Sequence, residues 1–176
     1  MAMAGRPYIG ASVGPSHLNG GCAAGVDCND HDTAWKIYGG WTLPYETAVE
    51  LTYYDLGKYT IAAPGVGVPA DLHATWWGLG GAWLPQFGQG WGGALRFGAS
   101  YSMGKLDLSG VGSQTRNSWH PYGGIGGTYM IAKDVKLELD WDWSRIGAQW
   151  VDPVSGVNAK STNNIQSWML GASYAF

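Results

Sequence analysis

Ionisable residues occupy every second position of the segment VKLELDWDW, residues 135–143. Successive side chains of a β-strand point to opposite faces, so a strand here has one charged face and one apolar face. Single charges stand at the polar positions of other alternating segments as well. The charged polar-face positions are Lys36, Glu50, Arg96, Lys136, Glu138, Asp140 and Asp142.

These charges can serve structure or transport. An isolated buried charge is costly, so we expect a paired network in which Arg96 and Lys36 oppose the acidic residues. In the structural interpretation, which we favour, the network fills the protein interior. In the alternative it lines a narrow path for ions or water.

The four histidines, His17, His31, His73 and His120, are the candidates for catalysis. None stands in a motif that fixes a serine or an acidic partner, so we predict no enzyme activity and no catalytic residues. His120, with Ser118 or Ser102 as a neighbour, is the best candidate for a serine-dependent, lipid-modifying reaction. A histidine that only satisfies hydrogen bonds near a strand end is the preferred interpretation.

The acidic stretch from Asp27 to Asp32 resembles an oxygen-rich cation site only loosely, because it lacks the spacing and glycine of an EF-hand loop. We therefore predict no metal and no cofactor. The cysteines, Cys22 and Cys28, lie in a stretch rich in Gly, Asn and Asp, which favours a short disulfide loop outside the cytosol. Two unpaired thiols are the alternative.

The composition indicates the kind of element that carries these residues. Only 13% of the 176 residues are charged, about half the fraction usual in soluble domains. The net charge of −3 gives no reason to expect nucleic acid as a partner. No window approaches the run of about 20 apolar residues that a membrane helix needs, whereas a membrane strand needs only about 9–11 alternating residues.

Eight segments alternate in the manner of strands. The pattern is clearest for residues 135–143 and for the last segment, residues 167–176, and it cannot be assigned to one face for residues 74–84, which contain Trp76, Trp77 and Trp83. The other predicted strands are 8–14, 35–43, 47–54, 91–103 and 119–131.

The connections between these segments alternate strictly between short and long. Short turns are predicted around 43–45, 85–90 and 132–134, and long polar connections at 15–32, 57–71, 104–117 and 148–164. An up-and-down barrel with short periplasmic turns and long external loops has this arrangement. The sequence therefore predicts an all-β, eight-stranded antiparallel transmembrane β-barrel formed by one domain, residues 1–176, with 1–5 a flexible or added N-terminal segment.

Aromatic residues cluster towards the ends of the predicted strands. In a membrane barrel such rings lie at the two headgroup levels and form aromatic girdles. The residues assigned to the girdles are Trp35, Trp41, Trp91, Tyr101, Trp119, Tyr129, Trp141, Trp143, Trp168, Tyr174 and Phe176.

Four motifs in this order resemble the OmpA-like transmembrane domain and related small outer-membrane barrels: PYIGASVG, VELTYYDLG, GGIGGTYMIAKDVKLELDWDW and the ending LGASYAF. The resemblance spans nearly the whole chain and implies a bacterial outer-membrane location, a polar packed interior and loops outside the cell. Glu50 falls on the family's inward glutamate. Glu138 stands where a basic residue is often seen and Thr128 where an acidic one is, so no gate is carried over.

The resemblance also implies partners. These are outer-membrane lipid and lipopolysaccharide, host or phage surface ligands, and the barrel assembly machinery, which would recognise the C-terminal segment ending in Phe176. We expect a structural and surface-interaction protein with four long external loops. A narrow pore or conduit for small solutes is the alternative, and a lipid-modifying enzyme is a further one.

Overall fold

The computed structural model describes residues 5–19, 27, 29–62, 69–108, 112–151, 156 and 158–176. Both cysteines, and with them the predicted disulfide, lie outside these residues. No helix in the described ranges is long and apolar enough to cross a membrane. The strands are β1 (Pro7–Asn19), β2 (His31–Leu43), β3 (Thr47–Ala62), β4 (Pro69–Trp83), β5 (Gln86–Gly88), β6 (Trp91–Leu108), β7 (Gly112–Ala132), β8 (Val135–Val151) and β9 (Asn158–Ala175).

Eight long strands form a closed barrel. Each pairs antiparallel with the next along the chain, and β1 pairs with β9 to close the cylinder. The three-residue β5 lies beside the start of β6, inside the stretch 85–90 that was predicted to be only a turn. The predicted all-β, eight-stranded up-and-down barrel is confirmed.

Even-numbered positions face the barrel interior through most of the chain. The outward positions between them carry exposed apolar side chains, among them Leu79, Phe97 and Leu139, each more than half exposed. On β9 the phase is reversed, and even-numbered residues such as Leu170 face outwards. The strand whose register the sequence left open follows the same rule: Trp76 is buried, whereas Trp77 and Trp83 are exposed. Apolar residues on the outside and polar residues on the inside are the pattern of a membrane barrel.

The short turns all lie at one end of the barrel, the inner end. The three-residue β2–β3 turn has Tyr45 and Glu46 at φ 62° and 59°, in the left-handed backbone region that tight hairpin turns use. The hydroxyl of Thr47 donates a hydrogen bond to the Pro44 carbonyl (2.8 Å) and closes this turn.

The predicted inner strand ends agree with the structure to within two residues, but every long strand was predicted too short at its outer end. The strands continue through much of the predicted long connections: β3 runs to Ala62, β6 to Leu108 and β8 to Val151. The predicted boundaries of the connections 15–32, 57–71, 104–117 and 148–164 are therefore wrong. Polar composition indicated loops, whereas these polar residues belong to strands that extend beyond the apolar band.

In these outer extensions the pattern of the two faces is inverted. Lys58, Asp71 and Lys105 are exposed on the outside, while apolar side chains fill the inside as in a soluble protein. We call the part of this buried cluster that lies in the extensions the outer plug, and it contains Leu18, Leu56, Tyr59, Ile61, Leu72, Leu106, Leu108, Ile146 and Ile165.

β7 and β8 separate at the outer end. Their ladder runs outwards only as far as the Gly123–Trp143 pair, beyond which β7 pairs with β6 and β8 pairs with β9. Side chains bridge the two strands instead: the amide of Gln114 exchanges hydrogen bonds with the backbone of Val151, and Arg116 donates to the Ala148 carbonyl. We call this separation the β7–β8 fork.

Candidate functional site in the barrel interior

Arg96 on β6 is the centre of a buried set of charges. Its Nε lies 3.1 Å from Glu50 Oε2, its Nη2 2.8 Å from Glu138 Oε2 and its Nη1 3.0 Å from Asp140 Oδ1. The Arg96 side chain is 6% exposed, so water contributes little to these contacts. One guanidinium thus neutralises carboxylates from β3 and β8 through its planar set of donors.

Lys36 on β2 completes the set. Its Nζ donates to Asp140 Oδ2 at 2.9 Å and to Asp142 Oδ2 at 2.6 Å. Asp140 therefore accepts one hydrogen bond from each cation, so the two clusters form one network. We call it the charged layer; its members are Lys36, Glu50, Arg96, Glu138, Asp140 and Asp142.

Hydroxyl groups also donate hydrogen bonds to three of these carboxylates. Tyr8 donates to Glu50 at 2.5 Å, Tyr54 to Asp142 at 3.1 Å and Ser173 to Glu138 at 2.7 Å. Buried carboxylates need this full set of donors, because a half-satisfied polar network is costly in a low-dielectric interior.

Glycines on β7 leave space for the acidic row of β8. A Cβ atom at Gly124 would collide with the Asp142 carboxylate, and one at Gly126 would collide with that of Asp140. On the opposite wall the Tyr38 ring covers the Arg96 guanidinium, and 4.9 Å separates Cζ of Arg96 from the centroid of the ring. The absence of side chains at Gly124 and Gly126 thus leaves space for two carboxylates of the charged layer.

Little space remains on the outer side of the charged layer. The cavity between it and the outer plug, lined by Tyr54, Trp76, Tyr122 and Trp143 among others, measures about 10 Å³, which suits about one water molecule. Four carboxyl groups face two cations in the layer, so it has more acidic than basic groups. The arrangement can hold six ionisable side chains in a narrow interior.

The inner end of the barrel is open. A cavity of about 330 Å³, which we call the inner vestibule, leads from the turn side to Arg96 and Glu138. Arg6 lines it and pairs with Asp134 at 2.7 Å. Lys136 also lines it but, among the described residues, makes no hydrogen bond or ion pair, so the prediction that every charge of the inward set pairs is wrong for Lys136.

The outer plug has few polar groups, and these pair with each other. The hydroxyls of Tyr59 and Ser16 lie 2.7 Å apart, and both are within 3.0 Å of the Leu56 carbonyl. Burial raises the pKa of Tyr59 above its ordinary value, so the hydroxyl stays protonated and can donate. Tyr59 faces inwards because a bulge between Asp55 and Lys58 shifts the register of β3.

Ser118 and His120 meet at the β7–β8 fork. The Ser118 Oγ lies 2.7 Å from Nε2 of His120 and 3.2 Å from the Ser102 Oγ. Among the described residues, His120 makes no contact with a carboxylate that could orient its ring. The structure thus places the three residues that the sequence singled out together, without the acidic member of a catalytic triad.

Most of the predicted girdle residues lie on the outer surface in two groups, whereas Trp143 also lines the small interior cavity. Trp35 contacts Tyr53 at a centroid distance of 5.4 Å, and Tyr101 contacts Trp119 at 5.2 Å. Nearer the inner end, Trp91 contacts Tyr129, Tyr174 contacts Phe176, and Trp41 is exposed. Trp141 and Trp168 are cross-strand partners, and Trp143 stacks with Arg145. That these rings lie at the headgroup levels stays a prediction.

Comparison with known proteins agrees with this architecture. Residues 3–76 match the family model of the OmpA-like transmembrane domain, which confirms the resemblance over that part of the chain. The Neisserial surface protein NspA superposes with a TM-score of 0.70 at 15% identity, covering 97% of both chains. This chain is a small β-barrel of the bacterial outer membrane.

Two further structures have the same fold as this barrel. OprG from Pseudomonas aeruginosa matches with a TM-score of 0.68 at 19% identity, covering 98% of this chain and 96% of its own. Ail, the attachment invasion locus protein of Yersinia pestis, matches with a TM-score of 0.61 at 13% identity, covering 99% and 100%. At these identities the likeness concerns the fold alone. No curated protein matches the sequence.

Two features of the interior were not predicted from the sequence. The outer plug was missed although Leu56, Leu72 and Leu106 stand at even positions, in phase with the charged residues nearer the inner end. Tyr8 and Tyr54, which donate to the charged layer, were likewise not singled out. Extending the alternation beyond each apolar band would have found both features.

Proposed function

We propose that this barrel is a closed structural and surface-interaction protein of the outer membrane. The observation that supports the proposal is the double closure of the interior. The charged layer pairs all its members by direct contacts of 2.6–3.1 Å, and the outer plug fills the extension above it with apolar side chains. A lumen filled in this way stabilises the wall and leaves the outer surface for binding.

Single-channel recording in planar bilayers tests the closed lumen. The purified barrel should give no conductance above the bilayer background, while a general porin in the same bilayers serves as the positive control. Discrete conductance steps that depend on the barrel's concentration would contradict the proposal. They would favour the narrow pore, for which the 330 Å³ inner vestibule and the acidic excess of the charged layer are the arguments.

Lipopolysaccharide is the surface partner that we propose. The outer extensions expose Lys58, Lys105 and Arg145, and cations on the surface beyond the apolar band can pair with lipid phosphates. At the inner end Lys133 is also exposed, where phospholipid rather than lipopolysaccharide would be met. The cations on the outer extensions are therefore the ones that would contact lipopolysaccharide and not phospholipid.

Urea unfolding in vesicles with and without lipopolysaccharide tests this partner. We expect lipopolysaccharide to raise the unfolding midpoint, and the triple variant K58Q/K105Q/R145Q to lose most of that increase. The matched control Lys133→Gln should keep it. An unchanged increase in the triple variant would exclude these cations as the contact. For assembly, the exposed C-terminal residue Phe176 is the group offered to the barrel assembly machinery.

A further inference from the structure

Two histidines face each other at the outer end of the β1–β2 hairpin. His17 and His31 are cross-strand partners, and their ring centroids lie 4.4 Å apart. Asp30 reaches both rings: its Oδ1 lies 2.5 Å from Nδ1 of His31 and its Oδ2 lies 3.6 Å from Nδ1 of His17. This cluster is separate from the charged layer and from the Ser118–His120 pair.

One atom of the cluster is unsatisfied. Nδ1 of His17 is buried and has no hydrogen-bond partner within the described part of the chain, since Asp30 at 3.6 Å is beyond hydrogen-bond range. A buried polar atom without a partner is costly, and native structures contain few of them. In the tautomer that leaves Nδ1 unprotonated, its lone pair is free to bind a metal cation.

We propose that His17, Asp30 and His31 bind a divalent transition metal of the zinc and copper class. Each residue offers one ligand atom, and these atoms lie within 4.8 Å of one another. Metal–ligand bonds of the usual length place neighbouring ligand atoms about 3.3 Å apart around a tetrahedral zinc ion. Small side-chain rotations achieve this spacing, with the metal replacing the proton between Asp30 and His31.

The donor set selects the class of metal. Two imidazole nitrogens and one carboxylate suit zinc, copper and nickel, whereas calcium and magnesium prefer oxygen ligands alone. The sequence predicted no metal because the acidic stretch 27–32 has no EF-hand spacing. His17, which lies on the other strand of the hairpin, supplies the ligand that this stretch lacks.

The backbone around the site is held in place before any metal binds. The amide of Leu18 donates to the Asp30 carbonyl at 2.8 Å, and Asn29 exchanges two backbone hydrogen bonds with Thr60 on β3. Ligands on an ordered backbone lose little freedom on binding, which favours affinity.

The site is accessible from outside the cell. The side chains of His17 and Asp30 are each 38% exposed and that of His31 is 68% exposed. Three protein ligands leave a coordination position for water or for an external ligand. A bound metal would thus add a strong positive charge to the outer surface.

Calorimetric titration with zinc chloride tests the proposal on the refolded barrel. Thiolates also bind zinc, so the parent and all the variants compared carry Cys22→Ser and Cys28→Ser. The chain with both cysteines is measured separately. We expect one zinc ion per chain, and at least about a tenfold loss of affinity in His17→Ala and in His31→Ala. His73→Ala is the matched control, because His73 lies 3.3 Å from Asp55 with no second histidine in contact.

Copper provides a second measurement. Electron paramagnetic resonance should show hyperfine coupling to two imidazole nitrogens in the parent protein and to one in either histidine variant. Circular dichroism checks folding, and Asp30→Asn, which keeps the side-chain shape, replaces any variant that fails to fold. Absence of zinc binding in the serine background, or binding that His17→Ala, His31→Ala and Asp30→Asn leave unchanged, would overturn the proposal.

Discussion

Arg96 and Asp140 lie 44 positions apart in the sequence, yet Nη1 of one is 3.0 Å from Oδ1 of the other in the barrel interior. The same guanidinium contacts Glu50 and Glu138, so a single side chain joins β3, β6 and β8 across the lumen. Its removal would leave three buried carboxylates with fewer donors at once.

We therefore predict that Arg96→Met lowers the free energy of unfolding by about 3–5 kcal/mol, because breaking a buried ion pair leaves uncompensated charge. Reversible urea unfolding in lipid vesicles measures the change. Arg96→Lys is the control: it keeps the charge but lacks the planar set of donors, so it should fall between the parent and Arg96→Met. Equal stability of all three proteins would mean that the charged layer contributes nothing net.

Two adjacent glycines on β7 give a prediction about space. A Cβ at Gly126 would clash with the Asp140 carboxylate and lie 2.7 Å from the Leu139 carbonyl oxygen, whereas one at Gly127 has nothing within 4 Å. Gly126→Ala should destabilise the barrel by about 1–3 kcal/mol through overpacking. Gly127→Ala, the matched control on the outer face, should change stability by less than about 0.5 kcal/mol. Similar effects at both positions would contradict this account.

The sequence predicted the membrane part of the fold well, because lipid outside and polar groups inside impose one alternation on every strand. The outer extensions were mispredicted because the alternation inverts there. Leu72 and Leu106 are even-numbered and face inwards, as Arg96 does nearer the inner end. Lys58 and Lys105 face water on the outside. A search for apolar residues facing lipid cannot recognise such a strand.

Alternation also predicted that the members of the charged layer share the inner face, but it did not predict which of them pair with each other. Which carboxylate meets Arg96 depends on strand register and barrel closure, which bring together residues about 45 positions apart. The His17–Asp30–His31 cluster was missed for the same reason, since it needs the β1–β2 register to bring its two histidines together.

The orientation of β8 gives a third prediction. Leu139 is 53% exposed on the outer face, in the apolar band, so Leu139→Arg should cost about 2–4 kcal/mol near the bilayer centre. Thr115→Arg places the same side chain at an exposed position of the outer extension, where water can solvate it and the cost should be near zero. Urea unfolding in vesicles compares the two. A Leu139→Arg protein as stable as Thr115→Arg would show that this face does not meet lipid.

The Ser118–His120 contact gives the last prediction, which concerns catalysis. A serine nucleophile needs a base whose ring is oriented by a third group, and no carboxylate among the described residues contacts His120. We expect a fluorophosphonate probe to leave Ser118 unmodified, as judged by mass spectrometry of the folded barrel, while a serine esterase treated in parallel is labelled. Ser118→Ala and His120→Ala should then leave the vesicle lipids as intact as the parent does. An adduct on Ser118 that disappears in His120→Ala would instead establish the pair as catalytic, because labelling would depend on the histidine as general base.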